Sequence, residues 1–379
     1  YIATKNGLFA FSGGNISKHY KKEQGLPSNI ILDMDTYDGL DFIWLATSNG
    51  ISKFDGTSFV NYSKNLGLPA KLVTAIHVDR TKSSIVWTGS EKSGLTRFDD
   101  NGFFNFATQD GLPTNSIRDI TQSKNGDLII ACYNAGVVKY DGKTFKLFNN
   151  GLADKRVILV TNGPDGSIWA GTESAGVGVL NDDQFKMVID ADGLGHNEIF
   201  SLHYDGKRMW AGTFGGGVSC FSDGLWYTMS QADGLASSNV GAIISSKGKI
   251  LLGGNNGLSI FEQNDAQFAL KFDKILTPKS EIPFKTSMST LAGIINDRFF
   301  MTANAMVYNP ADAQLRYRHK TIKDGQASSW SKPQLSSQIS FVPNEVGDFQ
   351  FQVQAIDNRL RTSKIVTLPF YISRVWYLD

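Results

Sequence analysis

Few of the reactive side chains in this 379-residue chain fall at a spacing that would support catalysis or metal binding. His19, His77, His196, His203 and His319 are scattered, and Cys132 and Cys220 are too few for a cysteine metal site or a disulfide framework. Free, buried thiols are expected instead. Glycoside hydrolysis would need two carboxylates roughly 5–10 Å apart. Glu91 and Glu173 are the pair to consider, because many other acids sit in Asp-Gly turns. The remaining set suits recognition better than reaction. Tyr133 and Phe214 offer aromatic platforms, Asn134 a planar amide, and Glu91, Lys92 and Glu173 charged hydrogen-bond partners. Lys71, Lys155, Arg156 and His196 add to them. An aromatic face flanked by amides and charges is what a sugar ring requires. No catalytic residue, metal or cofactor is expected.

These residues earn notice because they break a repeat. One phrase recurs seven times, as Trp44-Leu-Ala-Thr-Ser-Asn-Gly50, Trp169-Ala-Gly-Thr-Glu-Ser-Ala-Gly176 and Trp210-Ala-Gly-Thr-Phe-Gly-Gly-Gly217 illustrate. Its closing glycines, from Gly7 to Gly257, lie 43, 44, 42, 40, 41 and 40 residues apart. A second phrase, Gly-Leu-Pro or a relative, interleaves at Gly25, Gly67, Gly111, Gly151, Gly193 and Gly234. Positions common to most units answer a need of the unit. Trp44, Trp87, Trp169 and Trp210 therefore pack between sheets. Asn29, Asn115, Asn197 and Asn239 bond backbone in the connecting loops.

Each unit reads as four short strands separated by turn dipeptides such as Asn125-Gly126, Asp141-Gly142, Asp205-Gly206 and Asp223-Gly224. Four antiparallel strands at this period describe a propeller blade, and seven copies imply seven blades over residues 1–275. The first blade lacks its inner strand, because Tyr1 falls inside a second strand. Residues before Tyr1 would supply it, or a segment near 266–275 would close the ring. In such a meander the loop into the first strand and the turn between second and third share one edge. The candidate residues Glu91, Lys92, Tyr133, Asn134, Lys155, Arg156, Glu173, His196 and Phe214 thus converge on one face.

The period fades after about Leu276, where 279–290 reads as a linker. Phe349-Gln-Phe351-Gln-Val353-Gln-Ala355 alternates as a half-buried strand does. Leu315–Arg318 and Val366–Ile372 are its expected partners, and residues 276–379 form a small immunoglobulin- or fibronectin-like β-sandwich. The fold class is all-β. The balance of 37 basic and 36 acidic residues, without basic runs, argues against nucleic-acid or membrane-surface binding. No stretch approaches the roughly 20 apolar residues of a membrane span, and no signal peptide opens the chain.

The blades resemble two-component-regulator propeller repeats, which read Gly-Leu-Pro-x-Asn, Leu-Trp-Ile-Gly-Thr and Gly-Leu-x-x-Tyr/Phe-Asp. The tail is similar to the three-tyrosine domain that follows such propellers, matched at Tyr317, Trp330, the strand from Gly347 to Ala355, Tyr371 and Trp376. Phe349 stands where that family prefers tyrosine, and the usual Pro-Pro before the last aromatics is missing. The resemblance implies the periplasmic sensor part of a hybrid two-component system of Bacteroidetes type, anchored in the inner membrane. It implies an oligosaccharide ligand, a homodimer formed through the membrane-proximal C-terminal domain, and a membrane helix and histidine kinase beyond Asp379. A protein-interaction scaffold is the alternative, and a propeller glycosidase or lyase a more distant one.

Overall fold

The computed structural model describes residues 1–37, 39–222, 224–262, 267–278, 280–283, 290–306, 315–357 and 361–374. Among them there is no α-helix. Asp223, most of the 279–290 linker, Trp376 and Asp379 lie outside the described residues.

Among the described residues, seven antiparallel sheets follow one another from the N-terminus. Sheet one holds Ile2–Thr4, Gly7–Ser12 and Asn15–Tyr20; sheet two Ile31–Asp35, Ile43–Thr47, Gly50–Phe54 and Phe59–Tyr62. Sheet three holds Val73–Val78, Val86–Ser90, Leu95–Asp99 and Gly102–Phe106; sheet four Ile117–Gln122, Leu128–Cys132, Gly136–Tyr140 and Phe145–Phe148. Sheet five holds Val157–Asn162, Ile168–Thr172, Val177–Asn181 and Gln184–Val188; sheet six Ile199–Tyr204, Met209–Thr213, Val218–Ser222 and Leu225–Met229. Sheet seven holds Val240–Ser246, Lys249–Gly254 and Gly257–Glu262. The four repeat strands emerge in order in sheets two to six, and the architecture is consistent with a β-propeller.

The repeated residues do the repeated work. Trp44, Trp87, Trp169 and Trp210 are buried, and Trp44 and Trp87 meet Phe98 and Tyr140 of the next sheet edge-on. Gly50 adopts φ +97°, and a Cβ there would fall 2.3 Å from the Tyr62 carbonyl oxygen. Its amide donates to the carbonyl of Lys71, in the loop leading into sheet three, at 2.7 Å. Gly7, Gly94, Gly176 and Gly217 make the same bond to Asn29, Asn115, Asn197 and Ser238. The glycine tips and the Gly-Leu loops thus share an edge. Each such loop in five sheets opens with one 3₁₀ turn, for example Lys22–Gln24 and Thr108–Asp110, closed by a left-handed glycine. Asn29, Asn115 and Asn197 each accept from the first amide of that turn at 2.8–2.9 Å. Asn239 accepts from the tip amide of Gly215 instead.

The first strands of sheets two to six lie side by side, and side chains bridge those of sheets two to five. Asp33 accepts from the Ile76 amide, Asp35 from Val78 and Asp119 from Val160, each at 2.8 Å. Every one of these strands also carries a β-bulge at the same point, between Ile31/Asp33, Val73/Ala75, Ile117/Asp119, Val157/Leu159 and Ile199/Ser201.

Two further sheets share an apolar core. One orders Glu281–Pro283, Ala269–Leu276, Phe299–Met306 and Gln338–Phe341; the other Leu291–Ile294, Val366–Ser373, Gly347–Ile356, Arg316–Lys323 and Gln326–Ala327. Phe299 and Phe341 of the first pack on Phe370 and Phe351 of the second, with centroids 5.0–5.1 Å apart. Phe349 and Tyr317 are buried in this core. Ala269–Leu276, expected on the propeller side of a boundary at 275 or as its closing segment, pairs with Phe299–Met306 instead. Its alternating burial at Leu270 and Phe272 already fits a sheet with one buried face. By contact the chain divides into two compact units: Tyr1–Cys220 with Ala236–Ile244 and Gly253–Gly257, and Phe221–Leu235 with Ser245–Leu252 and Leu258–Asp379.

Candidate functional site

A β-bulge leaves one residue out of the ladder and re-aims its side chain. The five bulge positions carry Leu32, Thr74, Arg118, Ile158 and Phe200, a set as varied as the tips. Two of them organise the edge where the glycine tips lie. Arg118 Nη2 lies 3.1 Å from Glu91 Oε1 on the tip of sheet three. The Arg118 guanidinium also covers the Tyr133 ring on the tip of sheet four, 4.6 Å from its centroid.

Tyr133 continues the chain of contacts. Its hydroxyl donates to Glu173 Oε2 at 2.8 Å, and that bond pushes the phenol above its ordinary pKa. Glu173 Oε2 is also 2.8 Å from Arg156 Nη1. Arg156 in turn donates to both oxygens of Asp154 at 2.9 Å, and Ser174 donates to Asp154 at 2.8 Å. Burial would raise the Asp154 carboxyl, but these bonds outweigh it and hold it below the usual carboxylate range. Arg156 is raised, chiefly by its bond to Asp154. Charges and an aromatic ring from sheets three, four and five are therefore fixed before any ligand arrives, which limits the ordering cost of binding.

Of the nine residues expected here, Glu91, Tyr133, Arg156 and Glu173 join this network. Asn134 sits beside it, exposed, at φ +63°. Lys92 and Lys155 are exposed on the same tip and loop. His196 and Phe214 form a second group on sheet six, with centroids 6.4 Å apart, and the bulge residue Phe200 lies 5.5 Å from Phe214. Phe214 is 46% exposed, so its ring is available to a ligand. Arg118, Asp154, Ser174 and Phe200 were missed. Arg118 and Phe200 belong to strands, and the variability of one fixed position on the first strand is the signal that marks them; Asp154 and Ser174 sit on the loop and tip of sheet five.

The inner strands carry a separate electrostatic feature. Burial raises Asp33 well above the usual range, aided by the charge of Asp119, and burial likewise raises Asp119. Asp35 is pulled up by burial but held low overall by His77, 3.2 Å away, and by Arg80 at 2.7 Å. Among the described residues no group of three metal-ligating side chains converges. Cys132 is buried in an apolar cluster, and burial pushes its thiol up to about 12.

No protein-family model matches the chain, and no curated protein matches its sequence. Solved structures do resemble it. The extracellular domain of the hybrid two-component system BT3049 of B. thetaiotaomicron superposes with a TM-score of 0.61 at 21% identity, over 98% of this chain and 53% of that one. The fold is that of such ectodomains. The extracellular domain of BT4673 from the same organism gives 0.57 at 16% identity, over 98% of this chain and 54% of that one. PorZ, a surface component of the type-IX secretion system of Porphyromonas gingivalis, gives 0.52 at 15%, over 92% of this chain and 53% of that one. The chain thus spans about half the length of these neighbours, two of which are extracellular domains of hybrid two-component systems. Among the described residues no helix is long and apolar enough to cross a membrane.

Proposed function

We propose that this chain is a ligand-sensing portion of a periplasmic, membrane-anchored two-component sensor, and that it binds an oligosaccharide on the edge built from Glu91, Arg118, Tyr133, Arg156 and Glu173. In this reading the seven sheets close as a seven-bladed propeller. The C-terminal sheets act as an immunoglobulin- or fibronectin-like sandwich that passes the signal toward a membrane helix and kinase, within a homodimer. The observation that carries the reading is the preorganised network itself: a cation-covered tyrosine flanked by two carboxylate–arginine pairs. A pyranose has apolar C–H faces and equatorial hydroxyls, and this arrangement offers partners to both. Both Glu91 and Glu173 are ion-paired to arginine, an arrangement for recognition rather than proton transfer.

A ligand shifts a sensor only through its different affinity for two arrangements. The test is calorimetry of the chain against an oligosaccharide panel, with Arg118→Ala and Tyr133→Ala alongside. Binding of one glycan, weakened by both substitutions, supports the reading. Silence toward every glycan together with capture of a peptide partner favours a scaffold. Release of reducing ends or unsaturated products reveals an enzyme.

A further inference from the structure

The third strand of sheets two, three and four carries a cation at one register position: Lys53 opposite Trp44, Arg97 opposite Trp87 and Lys139 opposite Ile129. Two of these cations are neutralised within the chain. Arg97 meets Asp99 at 2.5 Å, and Lys139 meets Asp127 at 2.8 Å. Asp127 immediately precedes the second strand of sheet four, and the residue at that place in sheet two is Phe42. The Lys53 ammonium lies 3.7 Å above the centroid of the Phe42 ring and 6.0 Å from that of Trp44, and it has no ion-pair partner among the described residues. Sheet four alone places an acid there; sheets two, three, five and six carry Phe42, Ile85, Ser167 and Arg208. A cavity of about 480 Å³ opens at this point between sheets two and three, lined by Phe42, Trp44, Lys53, Tyr62, Phe98 and Asp100. Its rim is made by turns between first and second and between third and fourth strands, so it lies on the edge opposite the network of Arg118 and Glu173.

We propose that this cavity binds a hexuronate, a pyranose bearing a carboxylate, independently of the oligosaccharide edge. The ligand's carboxylate pairs with Lys53 as Asp127 pairs with Lys139 in sheet four. The apolar face of the ring lies on the aromatic wall, and Asp100 accepts from ring hydroxyls. Asp99 does not compete for Lys53, because Arg97 already holds it.

The experiment titrates the full 379-residue chain with galacturonate, glucuronate, glucose and acetate by calorimetry, and repeats it with Phe42→Asp and Lys53→Met. Phe42→Asp restores the pair found in sheet four, so the thermal midpoint is expected to hold or rise while uronate affinity falls at least about tenfold. Lys53→Met lowers it similarly. Glucose and acetate, each carrying half of the recognised chemistry, bind at least about tenfold more weakly than the better uronate. The proposal is overturned if no uronate binds, if glucose or acetate matches it, or if Phe42→Asp binds uronate undiminished with its thermal midpoint intact.

Discussion

The Tyr133 hydroxyl and Glu173 Oε2, 40 residues apart in sequence, meet at 2.8 Å and join the tips of sheets four and five. Around that bond the arginines Arg118 and Arg156 hold the ring and the carboxylate in place. The edge is rigid because each charged group in the network already has a protein partner.

Tyr133→Phe keeps the ring under Arg118 but removes the hydroxyl bond. A loss of about 1 kcal/mol in ligand binding is expected, with little change in the unfolding midpoint, since the bond lies on a half-exposed edge. Arg118→Ala should cost more, because it frees Glu91 and uncovers the ring. Calorimetry of both variants against the glycan that binds decides the order. Equal affinities for wild type and Arg118→Ala would remove this edge from the site.

Asp33 and Asp119 titrate above the ordinary carboxylate range in the folded chain. The native state therefore keeps protons that the unfolded chain has released, and stability falls as pH rises from about 4 through their folded pKa values. Asp35 is depressed, so its contribution runs the other way and is lost as pH falls through its folded value. Urea midpoints of Asp119→Asn should show a shallower decline as pH rises above about 4 than wild type. An unchanged slope would mean that Asp119 ionises normally.

Gly50→Ala imposes a left-handed φ on an L-residue and drives Cβ into the Tyr62 carbonyl. Destabilisation of about 2 kcal/mol or more is expected. Gly142→Ala, also at positive φ but with open space around it, should cost less. Thermal denaturation of the pair separates the clash from the dihedral strain.

Both cysteines are buried, and the Cys132 thiol is shifted to about 12 by its apolar surroundings. Neither should react with a thiol reagent at mildly alkaline pH until the chain unfolds. Rapid labelling of the native protein would contradict the burial of both residues.

The sequence by itself determined the all-β class, the phase of the four-strand unit, the tryptophans between sheets and the asparagines that close the loops. These follow from local rules. A positive φ selects glycine, alternation selects strands, and a unit that needs the same contact each time repeats the same residue. Glu91, Tyr133, Arg156 and Glu173 were legible for the converse reason, as departures from the repeat on an edge that topology had named. Only the tertiary structure decided that Arg118 reaches that edge from a bulged strand, that Ala269–Leu276 joins the C-terminal sheets, and that Phe42 faces Lys53 without an acid. Each of these depends on which side chain meets which across a register or between neighbouring sheets, and strand alternation alone is blind to a bulge that shifts the register.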